Sequence, residues 1–464
     1  MSKEKVSLIG GKTRDLTQGN IFTQLILFAL PLLLGQVFQT LYNSVDSIVI
    51  GNFESAGALA AVTASGTISM IISGFFNGMS AGASALFARL FGGKRYKELH
   101  DAVHTAIAFG TILGIALALL GVIFTPQLLG ITACPPDVYE EAVLYLRIYL
   151  IGILFTSIYN LAAGVLRAVG DSRSPFIFLV ISSVLNIILD LLFVGAFKMG
   201  VAGVAVATII AQGVSMVLAF RSIMKLDDEF RFRFSHLMID WKLLGEIAAL
   251  GIPAGLQTSI TAISNIFVQR YINSFSAYAI AGVGSAMRID QFTGMPCMTL
   301  GLAMTTFIAQ NVGGGRNDRA NRSVGISMLA SIAFVIILSI PTYIFAPSLI
   351  RLFSPDPDVI TYGTGMLKTI MPLYIFMGLN GLMGGVLRGY RYSLTAMVLT
   401  IIGMVAARQI WLFVTLNFIA HDITFVYYGY PVGWFCSSML LLMFYLFRIR
   451  KKYPSKPAEA DQLT

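Results

Sequence analysis

The chain has 464 residues, of which 56% are hydrophobic and 12% charged, against about 25% charged in a soluble domain. Roughly 260 apolar residues at about 20 per membrane-spanning helix are enough for twelve spans, and this excludes a soluble enzyme, a disordered chain and a secreted disulfide scaffold. The apolar runs are continuous, which excludes an outer-membrane barrel, and the net charge of +9 is read as loop topology rather than as nucleic-acid binding.

In chain order, hydropathy predicts spans near 21–50, 57–88, 102–125, 139–164, 174–197 and 200–224. Six more follow near 242–270, 277–309, 322–346, 358–386, 393–418 and 424–447. A polar stretch, Lys225 to Trp241, carries Asp227, Asp228, Glu229, Arg231 and Arg233 and reads as the linker between two halves. The expected organisation is a tail over 1–20, a first lobe over 21–224, the linker over 225–241, a second lobe over 242–447 and a tail over 448–464. The N-terminus lacks the layout of a cleaved signal peptide. Of the Lys and Arg residues, 25 fall in the tails, the even-to-odd loops and the span ends beside them, three in or beside the opposite loops (Lys198, Arg270, Arg351) and four deeper inside spans. That asymmetry predicts a multi-pass protein of the cytoplasmic membrane with both termini in the cytoplasm.

The halves repeat. Ala29-Leu30-Pro31 recurs as Gly251-Ile252-Pro253 at an offset of 222, and Gly92-Gly93 as Gly313-Gly314 at 221. Pro136-Asp137-Val138 recurs as Pro357-Asp358-Val359, and Gly164-Val165-Leu166-Arg167 as Gly385-Val386-Leu387-Arg388, both at 221. The intramembrane Arg147 falls on Lys368, which favours a structural role for both. Two tandem six-helix bundles of like orientation enclose a central cleft and suit alternating access, so a transporter is the expected class.

Charges in hydrocarbon cost ~2.5–3.5 kcal/mol each on insertion scales, so the three acids deep in spans, Asp46, Asp190 and Asp290, are functional candidates. Gln36, Gln39, Asn43 and Asp46 form a polar stripe on span one and are expected to face the cleft. Tyr42 lies one turn before Asp46, within reach of its carboxyl group, and Pro31 upstream permits a hinge. On span five, Asn186 shares a face with Asp190; an amide beside a carboxylate suits a proton or a hard cation. By the repeat, Asp46 falls on Val268 and Asp190 on Trp411, so the fold itself does not require either acid. Asp290 is expected to make a structural ion pair more than a transport contact, and Arg408, without a basic counterpart, is a second cleft candidate. Three separated cysteines (Cys134, Cys297, Cys436), four dispersed histidines and the absence of a Walker motif exclude a disulfide framework, an HExxH zinc site and ATP hydrolysis. No catalytic constellation stands out, and the expectation is a transporter rather than an enzyme.

Phe28-Ala29-Leu30-Pro31 leading to Asn43-Ser44-Val45-Asp46, the segment Gly164-Val165-Leu166-Arg167-Ala168-Val169-Gly170-Asp171 and the repeat together resemble the MATE (multidrug and toxic compound extrusion) family over about residues 15–450. The resemblance implies an all-α, V-shaped two-lobe transporter of twelve transmembrane helices in two pseudo-symmetric bundles. It implies export of amphiphilic, often cationic compounds in exchange for H⁺ or Na⁺, with no other cofactor. Its DinF-like branch implies a cation site of Asp46, Asn186, Asp190 and Thr208, those four being the ligands if Na⁺ is the ion. The acids that the NorM-like branch carries in helices seven and ten are missing here, which favours the first lobe as the coupling site. Expected partners are membrane lipids and small-molecule substrates, with the protein a monomer. A lipid-linked oligosaccharide flippase of the same superfamily is the alternative; such a protein favours a basic cleft, whereas the candidates here are acids.

Overall fold

The computed structural model describes residues 13–54, 56–131 and 135–454. It is helical, with no strand among the described residues. Among the described residues, twelve helices are long and apolar enough to cross a membrane. They are α1 (Ile21–Gly51), α2 (Ala60–Gly92), α3 (Tyr96–Gly130), α4 (Pro136–Ala168), α5 (Arg173–Ala196) and α6 (Gly200–Ile223). The remainder are α7 (Trp241–Ile272), α8 (Ala277–Gly313), α9 (Asn317–Ile344), α10 (Pro357–Gly389), α11 (Ser393–Ile419) and α12 (Ile423–Lys452). Leu30–Gly255 belongs to one compact unit; Leu16–Ala29 and the chain from Leu256 onward belong to the other.

The sequence repeat reappears as repeated local geometry inside each unit. In the first, Ser84 Oγ on α2 donates to the Gly164 carbonyl on α4 at 2.9 Å. In the second, Thr305 Oγ1 on α8 donates to the Gly385 carbonyl on α10 at 3.1 Å. Thr305 Oγ1 also lies 3.0 Å from the Gly301 carbonyl of its own helix, so its single proton is shared between that acceptor and the cross-helix tie. These crossings are close because the facing residue is glycine: a Cβ on Gly385 would lie 1.9 Å from the Gly301 carbonyl oxygen.

Both α4 and α10 are interrupted at matching places. α4 breaks between Ile151 and Ile153. α10 tightens to a 3₁₀ turn over Met371–Leu373, where Pro372 withdraws a backbone donor. Both also end alike. The Asp171 amide returns to the Leu166 carbonyl at 2.9 Å and the Tyr392 amide to Leu387 at 2.8 Å, over left-handed residues Gly170 and Arg391. This six-to-one closure satisfies the last helical carbonyls. Asp171 Oδ1 then accepts from the amides of Arg173 and Ser174 at 3.1 and 3.0 Å, capping the start of α5. The Gly-Asp pair at the end of the 164–171 segment is therefore a helix stop followed by a helix start.

Arg147 and Lys368 are both exposed. Lys368 rests over the Tyr343 ring at 5.8 Å, and neither makes an ion pair among the described residues.

Candidate functional site

In the unit that contains Leu30–Gly255, α1 presents Tyr42 and Asp46, and α5 presents Asn186 and Asp190. α1 runs unbroken through Pro31. Asp190 is fully buried and Asn186 nearly so. Immediately after Asp190 the helix widens into a π-helical turn, Leu191–Ala196, a distortion often found at functional positions. The Asp46 and Asp190 carboxyl groups lie within hydrogen-bonding reach of each other.

The hydrogen-bond inventory there is incomplete. Asp46 Oδ1, both carboxylate oxygens of Asp190, and both amide atoms of Asn186 are buried and have no partner among the described residues. Ionised carboxylates only accept. Two of them together in low dielectric repel, and a proton or a cation between them relieves both problems.

Tyrosines wall this site. Tyr42 is in electrostatic reach of both acids and of Tyr145 and Tyr149. Tyr145 and Tyr149 of α4 stack with ring centroids 6.2 Å apart, and the Tyr149 hydroxyl meets Ser73 Oγ of α2 at 3.0 Å. An apolar shell of Val49, Ile50, Ala58, Val194, Val201, Val204 and Ala205 packs beside them and keeps the dielectric low. The sequence reading missed Tyr145, Tyr149 and Ser73. The four-residue spacing of the two tyrosines on one helix face was the available signal.

Other candidates are placed as follows. Thr208 is buried on α6 and gives its proton to the Val204 carbonyl at 3.0 Å; it makes no bond to Asp190 or Asn186. Gln36 is half-buried and Gln39 exposed. The side chain of Asn43, like Cys134, lies outside the described residues.

In the second unit, Asp290 on α8 does not form the expected ion pair: its Oδ1 is buried without a partner among the described residues. Its backbone carbonyl accepts from the Tyr374 hydroxyl at 3.1 Å. Arg408 on α11 is 2% exposed. It donates through Nη2 to Ser264 Oγ at 2.6 Å and lies over the Tyr430 ring at 5.6 Å. Arg288 is exposed. The positions equivalent to the first unit's acids hold packing groups: Val268 is fully buried, and Trp411 donates from Nε1 to the Phe425 carbonyl at 3.0 Å.

Comparison with known proteins agrees with this architecture. The family model MatE matches residues 31–192 and 253–409, one segment in each half. "Probable multidrug resistance protein YpnP" of Bacillus subtilis is 32% identical over 391 residues, covering 84% of this chain and 87% of that protein. "Multidrug export protein MepA" of Staphylococcus aureus is 23% identical over 382 residues, covering 82% and 84%. Among solved structures, an outward-facing conformation of a multidrug resistance MATE family transporter superposes with a TM-score of 0.87 at 21% identity, covering 95% of this chain and 99% of that one. A MOP superfamily transporter from Pyrococcus furiosus, described as having a binding pocket of reversed polarity, superposes at 0.88 and 20% identity, covering 95% and 98%. With the family model spanning well over half of the chain and twelve membrane-spanning helices carrying it, the chain belongs to the MatE family, the MATE transporters.

Proposed function

We propose that this transporter exports amphiphilic, cationic drug-like compounds across the cell membrane in exchange for H⁺ or Na⁺, with Asp46 and Asp190 as the coupling groups. The observation that carries this reading is the pair of facing carboxyl groups, of which Asp46 Oδ1 and both Asp190 oxygens are buried without a partner among the described residues. A proton or a Na⁺ ion supplies what the pair lacks, and an organic cation is drawn by the same negative charge. Ion and substrate then compete for one charge, which enforces exchange. Asn186, one turn before Asp190 on α5 and with its amide oxygen unpartnered among the described residues, is the neutral oxygen donor for a metal ion in this reading, and Tyr42 answers the change in charge. Pro31, whose missing amide loosens α1, is the hinge through which neutralisation of Asp46 alters the helix. Both termini are assigned to the cytoplasm by the positive-inside rule.

The names of the relatives YpnP and MepA, a multidrug resistance protein and a multidrug export protein, support the substrate class. The test uses purified protein in liposomes loaded with a fluorescent cationic dye, under an imposed pH gradient or an imposed Na⁺ gradient. Dye movement driven by one gradient and absent in Asp46→Asn is expected, and the effective gradient names the ion. Full transport in Asp46→Asn contradicts the proposal. No movement of several dyes under either gradient favours lipid-linked sugars as cargo.

A further inference from the structure

Three of the four histidines in the chain meet at one place. His100 and His104 stand one turn apart on α3, with ring centroids separated by 4.0 Å. His236 arrives from the linker between α6 and α7; its ring is 5.3 Å from that of His100 and 6.1 Å from that of His104. His104 is fully buried. Phe232 of the linker stacks on it at 4.8 Å, and Phe220 and Phe234 pack edge-on against Phe232 at 5.2 and 5.1 Å. All of these residues belong to the unit that contains Leu30–Gly255.

One assignment of protons satisfies the contacts with all three rings neutral. The Arg233 amide donates to His104 Nε2 at 2.9 Å, so that nitrogen carries no proton. His104 Nδ1 then donates to the His100 carbonyl at 2.7 Å. His100 Nδ1 lies 3.2 Å from Asp101 Oδ1 and donates to it. That leaves His100 Nε2 to accept from His236 Nδ1 at 3.3 Å. The cluster is not a metal cage. Both nitrogens of His104 are committed to backbone groups, and no set of three His, Cys, Asp or Glu among the described residues is disposed to hold a metal ion.

We propose that this cluster is a proton-operated latch, in which neutral His100, His104 and His236 hold the inter-helix linker against α3 and their protonation releases it. This goes beyond the transport reading and does not depend on Asp46 or Asp190. A first proton on His104 Nε2 can be taken up by the Arg233 carbonyl, 3.1 Å away, so one charge re-pairs the contact. A second or third puts like charges on rings whose centroids lie only 4.0 to 6.1 Å apart. The carboxylate bonded to the cluster is Asp101. Arg233 adds positive charge and is itself turned toward Asp228, at 3.6 Å, which Arg231 also holds at 2.7 Å. Asp240 is spent on the amides of Lys242 and Leu243 at 2.8 and 3.0 Å, capping α7. The docked linker therefore binds fewer protons than the released one, so docking weakens as pH falls through the imidazole range, about pH 7 to 5. By the positive-inside rule this side faces the cytoplasm, and the latch reads cytosolic acidity.

The test is hydrogen exchange of residues 226–240 in the purified full chain at about pH 8 and about pH 5.5, values that bracket imidazole titration, corrected for the intrinsic pH dependence of exchange. Wild type is expected to lose protection about tenfold or more at the lower pH, whereas the triple variant H100Q/H104Q/H236Q keeps the same protection at both. Unchanged protection in wild type, or an equal loss in the triple variant, overturns the proposal. If the triple variant is unprotected at both pH values, His236→Gln alone decides, because it leaves the His104–Arg233 bond in place. A smaller pH-dependent loss than wild type supports the latch, and an equal loss overturns it.

Discussion

Asp46 of α1 and Asp190 of α5 bring their carboxyl groups within hydrogen-bonding reach in the membrane interior, and no donor among the described residues serves Asp46 Oδ1 or either oxygen of Asp190. Groups this close exchange protons as one unit, so apparent titrations belong to the pair. Asp46→Asn and Asp190→Asn are each expected to reduce ion-driven flux by roughly 100-fold or more, the scale of removing a proton-handling group. The double variant is expected to be no worse than either single one, because the pair acts jointly. Removing an uncompensated buried charge should leave thermal stability unchanged or raise it. Flux in proteoliposomes beside melting in detergent checks both halves; a large loss of stability in Asp46→Asn would mark the acid as structural.

Gly385 tests the repeat as packing. Its missing Cβ would meet the Gly301 carbonyl oxygen at 1.9 Å, so Gly385→Ala must push α8 and α10 apart. Overpacking of this kind costs about 1–3 kcal/mol. Thr305→Val, which removes the tie to the Gly385 carbonyl, should cost about 1 kcal/mol. So should Ser84→Ala at the matching tie to Gly164. The two tie deletions lie in separate units and should add, as chemical unfolding of the single and double variants would show.

The segment before α1 is held by Arg319 of α9. Its guanidinium donates to the carbonyls of Leu16, Gln18 and Gly19, at 3.3, 2.8 and 2.6 Å, and Leu16 is completely buried. Arg319→Ala is expected to cost about 3 kcal/mol, and Leu16→Ala about 2–5 kcal/mol. The double variant should cost less than their sum, since both loosen one segment. Arg319→Lys should rescue little, because a single ammonium cannot reproduce the fork. Thermal melts of the four proteins measure this directly.

Asp422 caps α12 by accepting from the Thr424 amide at 2.8 Å, and that bond holds its carboxyl below the usual carboxylate range. A depressed folded-state value gives stability that is present above the unfolded value, about 4, and lost as pH falls through the folded one. Asp422→Ala should therefore cost about 1 kcal/mol near neutral pH, and the gap from wild type should close below about pH 4. Asp422→Asn, which keeps a capping oxygen, should stay near wild type at neutral pH. Melting temperatures across that range check the sign.

Much of the fold was legible because its driving force is local. Each span needs a run of apolar residues, and the 221-residue offset lies in the glycines and prolines that shape helix crossings and ends. Asp46 and Asp190 were legible because an acid in hydrocarbon is conspicuous. The tyrosine wall was not: Tyr145 and Tyr149 are two of 18 tyrosines, and what distinguishes them is which helix they meet. Asp290 was expected to pair with a cation, yet Arg408 turns its Nη2 to Ser264 instead, and a serine announces nothing in a sequence. The histidine cluster was equally silent, since His100 and His236 lie 136 residues apart and converge through the folding back of the linker.

The central claim is that the Asp46–Asp190 pair binds the coupling ion and gives it up to substrate. Adding a cationic substrate to purified protein in weakly buffered, Na⁺-controlled solution, while following pH and free Na⁺, tests it most directly. Wild type should release protons or Na⁺ ions on substrate binding, and neither Asp46→Asn nor Asp190→Asn should release any. Undiminished release from both variants would place the coupling site elsewhere in the protein.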